Sequence, residues 1–205
     1  MSEELVVRLC APTLAGLKTG SLFSAEYTSE EAIQQELSRL NRILIPKGLH
    51  AVSLRFGKSH ALIYVYRPSR LKRDLNNREA RNILGHLGYD VTAPEQCIRQ
   101  LAEKIQHAAE FPHEIGLFLS YPPEDVQGFM EHRAADSKCV GCWKVYGDVE
   151  RAQKVFRQYK RCTEVYCRRW RGGVSIDRLT VASLVTTATY QKPCNIRISA
   201  RFLVK

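Results

Sequence analysis

Four cysteines in the second half of the chain form its sharpest chemical pattern: Cys139-x-x-Cys142, then Cys162 and Cys167. Thiolates in two tight pairs can hold zinc or an iron–sulfur cluster in a tetrahedral array. The second pair, however, falls inside a predicted helix, where residues five apart differ by about 140° of rotation. Cys162 and Cys167 then leave different faces, so no metal site is expected and the plainer reading is a set of reduced, incidental thiols. Cys139 and Cys142 alone have the spacing of a cycling dithiol. A thioredoxin-type pair opens a helix, whereas this one precedes a predicted strand. The two remain the redox candidates.

Carboxylates and tyrosines cluster in two further places. FPHEIGLFLSYPPEDV (111–126) and KCVGCWKVYGD (138–148) each read as an apolar run, a turn and the start of a helix. If both runs are parallel neighbouring strands, Tyr121, Glu124 and Asp125 converge with Tyr146 and Asp148 at the strand ends, where α/β folds build ligand sites. The plainer reading is that these acids stabilise positive helix N-termini. His113, beside Glu114, is a candidate base, but it would stand at the opposite end of the first run, roughly 17 Å away. Its plainer role is to cap a strand end after Pro112. The catalytic residues are thus unknown, with these six as candidates. There is no P-loop, Rossmann glycine fingerprint, serine elbow or HExxH, which counts against a standard nucleotide enzyme or hydrolase.

Charge supplies the third pattern. Lys and Arg number 31 against 21 Asp and Glu, for a net charge of +10. Residues 151–171 alone hold eight basic side chains against one acid, Glu164. Arg151, Lys154, Arg157, Lys160, Arg161 and Arg168 are the candidate partner-binding residues. Phosphate contacts would give salt-sensitive nucleic-acid affinity, yet the aromatics of this segment recur at core spacing and are not free to stack on bases. A solvated face, or a dock for an acidic protein, is the plainer alternative.

The elements that must position these residues follow from periodicity. A short helix and then extended chain are expected over 3–28, with Pro12, Gly16 and Gly20 breaking any regular helix. An amphipathic helix over about 29–44 presents Ile33, Leu37, Leu40 and Leu44 on one face. AVSLRF (51–56) and HALIYVYR (60–67) read as an antiparallel hairpin. Helices follow over 68–84 and 94–109, then the two strand–turn–helix units, the second running into a basic helix ending near Trp170. SIDRLTVASL looks helical. The expected fold is a single α/β domain, with a small mixed β-sheet containing the hairpin and both units, flanked by helices. It spans 1–182, and 183–205 is an atypical, β-prone C-terminal tail.

Size and composition agree with that plan. A chain of 205 residues can bury a sizeable core. No apolar run approaches the roughly 18–20 residues of a membrane span. The N-terminus carries glutamates where a signal peptide needs basic residues, so the cytoplasm and reduced thiols are expected.

CAPTLAGLKTGSLF, RLNRILIPKGL, FPHEIGLFLSYPPEDVQGF, KCVGCWKVYGD, KRCTEVY and SIDRLTVA together resemble, in order, the blocks of an uncharacterised domain-of-unknown-function family of anaerobic bacteria. Its genes are often beside, or fused to, flavodoxin genes. The resemblance implies no activity, cofactor or catalytic residue. It does imply a link to flavodoxin-type redox or iron metabolism, and hence an accessory or interaction protein. An enzyme at the tyrosine–carboxylate rim, or a nucleic-acid-binding protein, is the alternative.

Overall fold

The computed structural model describes residues 1–108, 110–133 and 135–183. At its centre lies a three-stranded antiparallel sheet in the order β1–β3–β2, formed by β1 (Gly20–Glu26), β2 (His50–Phe56) and β3 (His60–Tyr66). The predicted hairpin is β2–β3. The extended chain after the first helix is β1, which pairs with β3 from Gly20↔Tyr66 to Glu26↔His60. The central strand is apolar on both sides because both faces are covered. Ala61, Ile63 and Val65 enter one core, while Tyr64 and Tyr66 enter the other. In β2 the register shifts between Ser53 and Arg55. That bulge sends Phe56 to the face opposite Val52 and Leu54, as one extra residue must in a period of two.

Helix α1 (Glu3–Leu14) and α2 (Glu30–Leu44) cover one face, and α2 buries the four predicted residues Ile33, Leu37, Leu40 and Leu44. Ser29 caps α2 by accepting from the amide of Ala32 at 3.1 Å. Pro12 does not break α1. It sits in the last turn, where its missing N–H costs one bond, and Cys10, Ala11 and Leu14 around it are fully buried. The other face is covered by α3 (Pro68–Leu75), α4 (Arg78–His86), α5 (Pro94–His107), α6 (Ile115–Phe118) and α7 (Pro123–His132). A two-stranded antiparallel ribbon, β4 (Cys139–Val140) and β5 (Lys144–Val145), precedes α8 (Val149–Arg171) and the single turn α9 (Ile176–Leu179).

The mixed α/β architecture is as expected, with every described strand pair antiparallel. One element corrects the expectation. Residues 114–120 form no strand: α6 is a helical turn with Ile115, Gly116, Leu117 and Phe118 all buried. Burial on every side reads the same for a buried strand and a buried helical turn, so periodicity could not separate them. The turn is closed by Ser120, whose φ of 62° lies in the left-handed region. The first unit is therefore helix–turn–helix, and the second is a hairpin running into α8. The β-prone tail lies outside the described residues except for Ser183. None of the described helices is long and apolar enough to cross a membrane.

Candidate functional site

The turn after α6 and the N-terminus of α7 hold Tyr121, Glu124 and Asp125; the end of the β4–β5 ribbon holds Tyr146 and Asp148. They meet because Asp125, 3% exposed, binds the ribbon. Its Oδ1 accepts the backbone amides of Tyr146 and Gly147, each at 2.7 Å, and its Oδ2 accepts the Trp143 indole N–H at 2.7 Å. Three donors around one buried carboxylate fix the ribbon on α7. Gly147 allows the approach, since a Cβ there would lie 2.7 Å from Glu124 Cγ. Trp143 then stacks on Tyr121 at 4.9 Å and meets the edge of Phe156 at 4.5 Å, forming a small third core with Val145, Ala152 and Tyr159.

This assembly forms one wall of a cleft of about 500 Å³. Tyr121, Glu124, Asp125 and Asp148 line it, facing Arg70, Arg73 and Asp74 of α3. The convergence arises from Asp125 and not from parallel strands, which corrects the expected geometry. Tyr146 is not on the cleft wall. Its ring packs over Gly128, where a Cβ would come within 2.5 Å, and stacks on His132 at 5.9 Å. Its hydroxyl is buried with no hydrogen-bond partner among the described residues. His113 also lies off the cleft, edge-on to Phe129 at 4.8 Å. Its neighbour Glu114 is buried and accepts the Tyr89 hydroxyl at 2.9 Å and the Lys104 amine at 3.3 Å. Asp148 caps α8 by accepting the Arg151 amide at 3.0 Å.

The redox candidates sit on the ribbon. Cys139 pairs with Val145 and is half-buried, whereas Cys142 is exposed at the turn. Burial raises the Cys142 pKa, with the Lys18 charge and a backbone hydrogen bond opposing it, so the site does not favour its thiolate. Cys10 is fully enclosed, and burial pushes its thiol up to about 12. Among the described residues no three His, Cys, Asp or Glu side chains are grouped to hold a metal.

Several residues on these surfaces were not singled out by sequence. Asp74 accepts the Thr19 hydroxyl, the Ser120 hydroxyl at 3.4 Å and Arg73 at 2.9 Å, while Ser120 Oγ accepts the Thr19 amide at 2.7 Å. Lys18 lies between the rings of Tyr121 and Tyr159 at 5.6 and 6.0 Å from their centres. Burial lowers its pKa, opposed by Cys10 and Cys142. No motif marks these positions, because each belongs to a turn or helix distant in sequence from the ribbon. On α8 all eight basic residues from Arg151 to Arg171 are exposed, and none forms an ion pair with a described carboxylate.

The chain belongs to the family described as protein of unknown function (DUF3793), whose model matches residues 6–180. No curated protein and no solved structure matches it.

Proposed function

We propose that this DUF3793 protein is a non-enzymatic interaction protein that docks an acidic partner on the outer face of α8. The observation that carries the reading is the arrangement of charge on that helix. At about 100° per residue, Ala152, Phe156, Tyr159 and Trp170 fall on one side, where they are buried or half-buried. Lys154, Arg157, Arg161 and Arg168 fall on the opposite side, exposed and paired with no described carboxylate. Like charges at this spacing repel by a few tenths of a kcal/mol per close pair. A complementary acidic surface removes that cost and steers association. The inward aromatics leave no stacking platform on this face, which favours a protein over a nucleic acid.

A flavodoxin is the acidic protein the family resemblance points to, and it would link this chain to redox or iron metabolism. The enzyme reading is weaker, because Asp125 has its oxygens engaged by three donors and Asp148 caps a helix. Calorimetry against a flavodoxin from the same genome tests the reading. Binding should weaken from low to physiological salt as exposed charges are screened. The double variant Arg157→Glu/Arg161→Glu should abolish it while leaving the melting temperature unchanged. Absence of binding at low salt overturns the docking of this partner. Tight RNA binding with a steep salt slope would move the function to nucleic acid.

A further inference from the structure

Lys18, in the link between α1 and β1, is an internal cation without a counter-charge. It makes no ion pair or hydrogen bond through its amine among the described residues, although it is half-buried between two tyrosine rings. The amides of Leu17 and Lys18 both donate to the Pro12 carbonyl, at 2.8 and 3.1 Å, so the backbone under it is fixed. Lys18 lines a second cleft of about 370 Å³, with Cys142, Lys160, Thr163 and Glu164. Tyr121 and Tyr159 border both this cleft and the larger one carrying Arg70, Arg73 and Arg151. The two clefts share these tyrosines but open on opposite flanks of α8, since Arg151 and Lys160, which line one each, stand about 180° apart around the helix.

The smaller cleft carries an excess of positive charge. Among the described residues Glu164 is the one acid that lines it. Against it stand Lys18 and Lys160, neither paired with a described carboxylate. We propose that the smaller cleft binds a small molecule through an oxyanion group, a phosphate or a carboxylate, seated on the Lys18 amine between Tyr121 and Tyr159. The aromatic faces hold the ammonium in place by cation–π attraction. Its removal from bulk water strengthens a charge-assisted bond to an incoming anion. The cleft's volume lies within the usual range for small-ligand sites, and Lys160 can meet a second charged group. The inward cleft is separate from the outer face of α8.

Competitive amine labelling of the native chain tests this. Trace acetic anhydride is applied with and without pyrophosphate or citrate at millimolar concentration, and acetylation is read by mass spectrometry. Protection of Lys18, with exposed Lys72 unchanged, is expected. Protection by pyrophosphate alone assigns a phosphate ligand, and by citrate alone a carboxylate. Calorimetry with the protecting anion should show Lys18→Met weakening binding by about ten- to a hundredfold, the range for a lost hydrogen bond to a charged group. Arg157→Glu/Arg161→Glu should bind the anion normally, so failure of partner docking and failure of anion binding are distinguishable. If neither anion protects Lys18 in the unmodified chain, or if folded Lys18→Met binds as tightly, the proposal is overturned.

Discussion

Asp125 is a candidate for chemistry from its place at the end of an expected strand, yet its environment is that of a structural anchor. Three donors around this buried carboxylate replace the hydration it loses on burial. The two oxygens have different partners, which makes a sharp prediction. In Asp125→Asn the Oδ1 can still accept the amides of Tyr146 and Gly147, but the new NH2 group faces the Trp143 indole N–H. One buried donor then loses its acceptor, at a cost of about 1–3 kcal/mol. Asp125→Ala strands all three donors and should cost more than the Asn variant. Denaturant unfolding of both variants checks the order. Equal stability of Ala and Asn would mean that the carboxylate does not hold the ribbon. The sequence could show that an acid stood at a helix start; it could not show a ribbon 20 residues later turning its amides toward that acid.

At the scale of elements, legibility depended on whether burial was one-sided. Helix α2 and the β2–β3 hairpin each alternate between core and solvent or between two cores, so their residues announced them. The run Ile115–Phe118 is buried on all sides and gave no period to read. The site depended on that run, so its expected geometry was wrong even though four of its residues do share a cleft. Lys18 and Asp74 were illegible for another reason: both owe their positions to long-range packing of turns and helices. Gly116 distinguishes the helical turn from a strand experimentally. A Cβ at this position would lie 2.7 Å from Val126 Cγ2 and 3.0 Å from Tyr121 Cδ2. Gly116→Val should therefore destabilise by about 1–3 kcal/mol through overpacking, whereas a β-branched residue in a buried strand would be tolerated or favoured. Thermal unfolding decides, and an unchanged or raised melting temperature would restore the strand.

For the whole molecule, the sheet separates two cores, and Arg67 at the end of β3 ties together the chain segments around one of them. It is 2% exposed and has no carboxylate partner among the described residues. Its Nε donates to the Thr13 carbonyl at 2.7 Å, and its two terminal nitrogens reach the Leu14 carbonyl at 2.8 Å, the Val181 carbonyl at 2.7 Å and the Ser183 hydroxyl at 2.8 Å. The first two are carbonyls at the C-terminal end of α1, where the helix dipole favours a cation. The Val181 amide donates in turn to the Leu14 carbonyl at 3.0 Å, so α1, the sheet and the segment after α9 close on one guanidinium. Burial lowers the Arg67 pKa, with Arg70 adding to the effect and Tyr166 opposing it; a guanidinium nevertheless stays charged at any ordinary pH. The fork geometry matters as much as the charge, because one ammonium cannot serve acceptors on both sides of the planar group. Arg67→Lys should cost about 1–3 kcal/mol through lost bonds, with hydrogen exchange rising first at the Val181 and Ser183 amides. Arg67→Met removes every donor and should cost more. If Lys at this position preserved both the stability and that protection, charge alone would suffice, and the planar clamp would not be what closes the chain.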